Sequence, residues 1–387
     1  MIDDIWERIN LVKMGIPPPD DQNESKVVFT SRSRDVCGLM GAQRRIKVQY
    51  LAREEAINLF QMMVGEETLK SHPDIPKLAK VVAAEECDGL PLALITVGRA
   101  MSSRMIPEQW NHAVSVLQRY PSEFLGTDVF PVLKFSYDSL LYERDRNCFL
   151  YCSMFREGYN IRKDELINLW IGEGLLDEYK NNNIHVTFNR GEFIIGTLKL
   201  ACLIESDESE EFVRMHEMIR DMALWVANSC GWNRSKILVL HGSEEFVRMH
   251  HMIRDMALWF VCGDRRDKFL IQLVNSINAN RIERLEEGER ISVWGHLNSI
   301  ECFIGEPVCP KLLTLLVKDT MLKMFSSQFF HWMRLLNLLD LSGNCGLVEL
   351  PKLISELFNL QYLNLSETAI MGLPSELKRL RRLKCLL

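Results

Sequence analysis

Apolar residues in the first two thirds of the chain recur mostly at helical spacing. From Arg53 to Met63 they keep a period near 3.6, and the same period returns from Ile75 to Val82. Further amphipathic helices are predicted at Phe130–Leu140, Asp145–Met154, Ile161–Leu176 and Phe193–Ile204. The pattern therefore predicts compact helical domains along the middle of the chain.

Short apolar runs near the amino terminus predict strands instead. Val27–Thr30 has the pattern of a buried strand, and Arg45–Leu51 that of another. Ile2 followed by Asp3 and Asp4 suggests the end of a strand whose earlier part is missing. Carboxylates at a strand end are where phosphate-binding folds hold Mg²⁺, although a helix cap or a solvated turn is the alternative.

One seventeen-residue segment occurs twice. Ser243–Trp259 repeats Ser209–Trp225 at sixteen of seventeen positions, with His251 in place of Glu217. An offset of 34 residues would suit a helical-repeat solenoid, but near-identity in only two copies indicates a local duplication. Since only one copy can follow Phe193–Ile204 directly, we expect the second to form an amphipathic helix in a linker.

The first copy predicts a helix with one apolar face. Met215, Met218, Ile219 and Met222 share that face. His216 lies at the helix start, where backbone N–H groups and the helix dipole favour an anion. A polar residue in a solvated first turn is the commoner interpretation of a single histidine.

The carboxyl-terminal part follows a different period. The pattern Leu-x-x-Leu-x-Leu starts at Leu336 and Leu360, with Val317 in its last place in the unit from Leu312 and only Leu-x-x-Leu from Leu383; the offsets are 24, 24 and 23 residues. The period, the leucine spacing and the return segments, which connect one predicted strand to the next, match a leucine-rich repeat. Such repeats build a stacked solenoid. The neighbouring side chains that we expect to face outward or line a concave binding side are Gln361, Tyr362 and Asn364.

Composition excludes several classes of protein. The 387 residues are 47% apolar and 25% charged, with a net charge of −6, so no electrostatic feature favours nucleic acid. The basic residues from Lys378 to Lys384 alternate with leucines and are interpreted as a solvated face. Eleven cysteines without paired spacing indicate reduced thiols, and no run of eighteen apolar residues predicts a membrane span.

Five motifs in order resemble plant nucleotide-binding, leucine-rich-repeat disease-resistance proteins of the coiled-coil subclass. They are Asp3-Asp4-Ile5-Trp6, Phe29-Thr30-Ser31-Arg32, Gly89-Leu90-Pro91-Leu92-Ala93, Cys148–Arg156 and Met215-His216-Glu217. The resemblance implies nucleotide-binding roles for Arg32, Gly89, Pro91, Leu92 and His216, Mg²⁺ binding by Asp3 and Asp4, and a switch made by Met215, His216 and Glu217. In that family the proline packs on adenine and the histidine touches the ADP β-phosphate.

Three departures from the family pattern change the expectation for nucleotide binding. The glycine-rich phosphate loop is absent, so the chain resembles an amino-terminally truncated member. Glu217 replaces the usual aspartate, and the duplicated segment adds a second Met-His pair at Met249-His250. ADP or ATP with Mg²⁺ is the ligand implied by the family, but we expect this chain to bind ADP weakly or not at all.

The expected fold is multidomain α/β plus α. A remnant of a P-loop-type nucleotide domain (1–52) precedes a helical bundle (53–125), a winged helix (126–228), a linker with the duplicated segment (229–285) and a leucine-rich-repeat solenoid (286–387). The resemblance implies a cytoplasmic immune receptor that switches between ADP and ATP. Its implied partners are a pathogen effector or a guarded host protein, and any membrane association would arise through partners.

Other functions remain open from the sequence alone. A nucleotide-free scaffold or a pseudogene product is the alternative to the immune receptor. An active ATPase is the least favoured interpretation, because the lysine and glycines that cradle phosphate are missing.

Overall fold

The structure is a computed structural model that describes residues 1–2, 5, 7–16, 26–31, 33–118, 129–176, 184–229, 237–241, 289–294, 302–303 and 308–387. It divides into two compact units, Met1–Tyr50 and Leu51–Leu387.

In the first unit the chain start is strand-like. Ile2 lies beside Phe29 in a parallel bridge. The Ile2 amide donates to the Val28 carbonyl at 2.8 Å, and the Thr30 amide donates to the Ile2 carbonyl at 3.0 Å. Helix α1, Arg34–Leu39, follows.

Of the two strands predicted in this region, Val27–Thr30 is paired but not buried, and Arg45–Leu51 is wrong. Val27–Thr30 is not buried, since Val28 is 58% exposed, and among the described residues it pairs only at the bridge. Arg45–Leu51 forms no strand, although Ile46 and Val48 keep the apolar alternation. A strand needs a neighbour that satisfies its backbone N–H and C=O groups. No described segment provides such a ladder beside 45–51.

The second unit begins with a helical layer, as predicted. Its helices are α2 (Arg53–Val64), α3 (Glu66–Lys70), α4 (Ile75–Val81), α5 (Pro91–Met101) and α6 (Pro107–Leu117), with a π-helical turn at Val82–Glu86. Buried Phe60, Leu94, Val97 and Trp110 share its core. Helices α2 and α5 approach closely because Gly98 has no side chain: a Cβ there would lie 2.7 Å from Cβ of Met63.

Next comes a helical unit with a small antiparallel sheet, the arrangement of a winged helix. Its helices are α7 (Val129–Asp138), α8 (Glu143–Cys152), α9 (Lys163–Gly172), α10 (Ile184–Leu200) and α11 (Glu217–Ser229). Its strands are β1 (Ile161–Arg162), β2 (Glu205–Ser206) and β3 (Phe212–Arg214), in the order β1-β3-β2. The first copy of the duplicated segment thus forms β3 and α11.

A parallel sheet forms the carboxyl-terminal part. Its strands are β4 (Ile237–His241), β5 (Arg290–Trp294), β7 (Thr314–Lys318), β9 (Leu338–Asp340), β10 (Tyr362–Asn364) and β11 (Cys385–Leu386), paired in that order. A second parallel pair joins β6 (Cys302–Phe303) to β8 (Met324–Phe325). The register aligns Leu315, Leu339 and Leu363, so the 24-residue spacing brings equivalent leucines side by side. Return segments carry 3₁₀-helices at Lys352–Glu356 and Ser375–Arg379.

The two faces of this sheet pack against different neighbours. On the leucine face, Leu315, Leu339 and Leu363 share one buried cluster with the return segments. On the covered face, defined by Arg290, Ser292, Trp294, Thr314, Leu316, Lys318, Leu338, Asp340, Tyr362 and Asn364, apolar side chains join the core of the winged helix. The winged helix therefore covers the sheet face opposite the leucines.

This packing corrects the prediction of an open binding side. Tyr362 and Asn364 are 0% and 5% exposed, and Gln361 is half-buried. Alternation along a strand correctly places Tyr362 and Asn364 opposite Leu363, whereas Gln361 lies just before β10. It does not reveal that α9 lies against them: a Cβ on Gly172 would lie 2.5 Å from Cβ of Tyr362.

Candidate functional site

The predicted switch segment lies where β3 gives way to α11. Met215 is buried, while His216 is exposed and immediately precedes the first residue of α11, Glu217. The Met218 amide donates a hydrogen bond to Nδ1 of His216 at 3.1 Å. The imidazole thus caps a helix whose first amides have no partner within the helix.

The cap determines which imidazole nitrogen carries the proton in the neutral ring. Because Nδ1 of His216 accepts from a backbone amide, the proton of the neutral ring is on Nε2. An Nε2–H group at the positive end of a 13-residue helix is a suitable donor to a phosphate oxygen. This geometry agrees with the role that the family resemblance implies for His216.

The charged residues near the cap are engaged elsewhere. Arg214 donates to Glu205 at 3.0 Å across the β2–β3 hairpin. Arg220 is buried, and its Nε donates to the Phe155 carbonyl at 2.7 Å. Glu217 adds a carboxylate directly beside the histidine. The immediate surroundings of His216 therefore supply little uncompensated positive charge.

The second candidate region is the start of α5. Gly89 has φ = +69°, a left-handed conformation that glycine adopts without strain, and its carbonyl accepts from the Leu51 amide at 2.9 Å. Pro91 is the first residue of α5, where its missing N–H costs nothing, and it is exposed. Gly89 and Pro91 thus form the turn between the π-helical segment Val82–Glu86 and α5.

The structure connects these two regions through one apolar cluster. Leu92 packs against the winged-helix core, and Met215 is a buried member of that core. The remaining site predictions, Asp3, Asp4 and Arg32, lie outside the described residues. The second copy of the duplicated segment, Ser243–Trp259, lies outside them as well.

The described residues fit a nucleoside diphosphate incompletely. They provide an exposed proline for a base and one imidazole donor for a phosphate oxygen. A diphosphate also needs several backbone N–H groups or cations to replace its hydration. Of the described cations nearest His216, Arg214 is bonded to Glu205 and Arg220 to the Phe155 carbonyl.

A buried ionic cluster joins the winged helix to the covered face. Lys318 Nζ donates to the Glu165 carboxylate of α9 and lies 3.5 Å from Oδ2 of Asp340. The Lys318 and Asp340 side chains are 5% and 0% exposed. Burial opposes the charge on Lys318, but the carboxylates of Asp340 and Glu165 outweigh it and raise the pKa of the lysine.

A second polar cluster surrounds Arg290 of β5, the strand next to the one that carries Lys318. Arg290 Nε donates to the buried Glu173 carboxylate at 2.8 Å, and the Thr314 hydroxyl donates to the same carboxylate. The Trp294 indole N–H donates to the Met154 carbonyl at 3.1 Å. Charged and aromatic contacts therefore hold the end of α9 and the segment after α8 against the sheet.

Sequence reasoning missed these contact residues, although one signal was present. Lys318 and Asp340 each interrupt or end an apolar strand, and a charge in such a run is a candidate for a buried pair. Nothing in the sequence shows that Glu165 is the partner of Lys318, or Glu173 the partner of Arg290.

The described part of the chain contains neither a metal site nor a membrane-spanning helix. Its His, Cys, Asp and Glu side chains form no group of three or more that could hold a metal ion. Of the helices described, none combines the length and the apolar character needed to cross a membrane.

Comparison with protein families defines the class. Residues 1–70 match the NB-ARC domain, and residues 154–223 match the disease resistance protein winged helix domain. The second match contains Met215 and His216 together with β1, β2 and β3. The chain therefore carries sequence of the NB-ARC domain and of the disease-resistance winged helix, as its motifs predict.

Similarity to individual relatives extends over almost the whole chain. Disease resistance protein SUMM2 of Arabidopsis thaliana is 41% identical over 377 residues, which are 97% of this chain and 38% of that protein. Disease resistance proteins RPS5 and RFL1, also from Arabidopsis thaliana, are 39% and 38% identical over 99% of this chain and 39% and 40% of their own lengths. The chain thus spans about 40% of the length of the curated relatives that it matches.

Proposed function

We propose that this chain is a truncated form of an intracellular plant immune receptor of the ADP/ATP-switch type, not a metabolic enzyme. The relatives that cover 97–99% of the chain are named disease resistance proteins, which supports this class. In such a receptor a signal would change the populations of closed and open states, because ligand and partner have different affinities for the two.

The proposal rests on one observation: the winged helix both bears His216 and contacts the parallel sheet. It carries His216 at the start of α11, and through α9 it contacts the covered face by the Lys318–Glu165 pair. A ligand at α11 and a protein partner at the sheet would therefore act on the same domain. We therefore propose that the winged helix couples nucleotide binding to partner binding.

We propose the domain organisation on the same basis. The 24-residue register of the parallel strands and the 3₁₀ return segments support a leucine-rich-repeat solenoid over 286–387. The nucleotide-domain remnant (1–52), helical bundle (53–125), winged helix (126–228) and linker (229–285) precede it. A pathogen effector or a guarded host protein would bind the repeats in the cytoplasm.

We assign the nucleotide contacts as a partial set. Gly89, Pro91 and Leu92 would face the base, His216 the β-phosphate and Arg32 a third phosphate, with Asp3 and Asp4 at Mg²⁺. Since the described residues near His216 supply little positive charge, the chain by itself should bind ADP weakly or not at all. A nucleotide-free scaffold is the second candidate, and the same charge deficit favours it.

Isothermal titration calorimetry of ADP with Mg²⁺ into the purified chain tests this assignment. We expect affinity weaker than about micromolar. Tighter binding would contradict the argument from charge. In that case His216→Ala should weaken binding, and the matched variant His250→Ala in the second copy should leave it unchanged.

A further inference from the structure

Arginines and exposed apolar side chains lie together on the return segments of the repeats. These segments pack on the leucine face, so they lie on the opposite side of the sheet from the winged helix. We call this surface the return face, and all six of its defining side chains are exposed: Trp332, Arg334, Leu335, Phe358, Arg381 and Arg382.

Hydrogen bonds join the return face across three successive repeats. The side-chain amide of Asn359 donates to the Arg334 carbonyl at 3.0 Å. Nη1 of Arg382 donates in turn to Oδ1 of Asn359 at 2.7 Å. The register that aligns the leucines therefore also brings these return-segment residues side by side, and the six side chains form one surface.

The positive charge of this surface is not neutralised by ion pairs within the described part of the chain. No described carboxylate is paired with any of its three arginines, and Arg382 bonds the neutral amide of Asn359 instead. Glu356, in the same layer, lies 3.9 Å from Nδ1 of His331. Since the whole chain has a net charge of −6, the return face is a local basic patch that departs from the overall charge.

The exposed apolar side chains beside the arginines are a second, independent observation. Trp332, Leu335 and Phe358 are 44%, 46% and 57% exposed. Single exposed apolar residues are ordinary, but several on one surface mark a site of interaction. Tryptophan, phenylalanine and leucine combined with basic residues are typical of surfaces that lie in the boundary between water and lipid.

We propose that the return face docks directly on an anionic phospholipid surface. The guanidinium groups would donate to lipid phosphates, whose oxygens match the planar fork of arginine. Trp332 and Phe358 would enter the apolar layer beneath the phosphates. A bilayer therefore fits both halves of the surface, whereas an acidic protein surface offers acceptors for the arginines but no apolar layer below them.

This docking leaves the packing of the winged helix in place. The return face and the winged helix lie on opposite sides of the sheet, so lipid contact does not require Lys318 to separate from Glu165. The proposal is therefore independent of the nucleotide assignment and of the coupling through the winged helix. It adds a direct membrane contact to any association that partners bring.

Sedimentation of the full chain with lipid vesicles tests the proposal. The chain should bind phosphatidylcholine vesicles that contain phosphatidylserine, should not bind phosphatidylcholine alone, and should bind less as salt is raised. Arg381→Gln/Arg382→Gln should lower the apparent affinity about thirtyfold, because each arginine near an anionic surface contributes about fivefold. The matched control Lys77→Gln/Lys80→Gln removes the same charge from exposed positions of α4 and should bind like the parent.

Two single variants separate charge and apolar contact from folding. Arg381→Gln keeps the bond between Arg382 and Asn359, so its expected loss of about fivefold reports charge alone. Phe358→Ala should weaken binding to the same vesicles without a change in thermal unfolding, because the side chain is exposed.

Four results would overturn the proposal. They are no sedimentation with the phosphatidylserine vesicles, equal binding to phosphatidylcholine alone, equal losses in the two double variants, and full binding by Phe358→Ala. Binding to soluble poly-glutamate that is tighter than binding to the vesicles would also overturn it, and would assign the return face to an acidic protein. Because no readout involves ADP, failure here is distinguishable from failure of the nucleotide assignment.

Discussion

The two faces of the parallel sheet are built from alternate residues of the same strands, yet they are stabilised in different ways. The leucine face is apolar, with Leu339 and Leu363 buried among return segments of neighbouring repeats. The covered face holds a lysine, an aspartate and a tyrosine that are buried only because the winged helix lies on them. Burial on the first face is local to the repeats, whereas burial on the second requires another domain.

This difference bears on how a partner could use the repeats. A protein that binds the covered face must first displace α9 and separate Lys318 from Glu165. The leucine face offers no such site, because its side chains form the core. Partner binding at the covered face and release of the winged helix would therefore be coupled.

The largest expected effect comes from removing the ammonium group of Lys318 from the buried ionic cluster on the covered face. Lys318→Ala leaves the carboxylates of Asp340 and Glu165 buried without their ammonium partner. Removing one member of a buried pair typically costs about 3–5 kcal/mol. The free energy of unfolding, measured by chemical denaturation, should fall by that amount.

Lys378→Ala is the control for Lys318→Ala, because Lys378 is an exposed lysine of the same sheet region. It should change stability by less than about 0.5 kcal/mol. Equal effects of the two variants would mean that the covered face is not held by its buried charges.

A somewhat smaller effect is expected on the leucine face. Leu363 is fully buried, so Leu363→Ala should cost about 2–5 kcal/mol through lost burial and the cavity that remains. Phe358→Ala, at a residue that is 57% exposed, is the matched control and should be nearly neutral. A Leu363→Ala protein that melts like the parent would rule out the shared leucine core at this repeat.

The smallest effect concerns an exposed charge in the winged helix, in contrast to the buried charges of the covered face. Glu210 accepts from Lys163 at 3.0 Å and from Lys199, and these bonds lower its pKa to about 2. Its folded pKa is depressed, so the contribution to stability is present above pH 4.5 and is lost as the pH falls toward about 2.

Glu210→Gln should therefore reduce the loss of stability between about pH 4.5 and 2 and lower the neutral-pH stability by the same small amount, small because the group is exposed. Melting temperatures measured across that range check the prediction. If Glu210→Gln loses as much stability as the parent between about pH 4.5 and 2, the two lysines do not favour the ionised form of Glu210.

Much of the local architecture could be predicted, because the spacing of apolar residues along the chain indicates which side of a helix or strand is buried. The helical period over 53–63 and 75–82 anticipates α2 and α4, and the spacing of Leu315, Leu339 and Leu363 anticipates their alignment. The start of α11 at His216 also follows from local pattern. In contrast, the apolar alternation in Arg45–Leu51 predicted a strand that is absent, because pattern alone supplies no pairing partner.

The sequence by itself determined the order of the motifs, the family to which they belong and the leucine face of the sheet. Each depends on residues close in sequence or separated by one repeat. Tertiary structure alone decided that Tyr362 is covered and that Lys318 is buried. The Lys318–Glu165 contact joins residues 153 positions apart, and no periodic pattern records which distant surface will meet which.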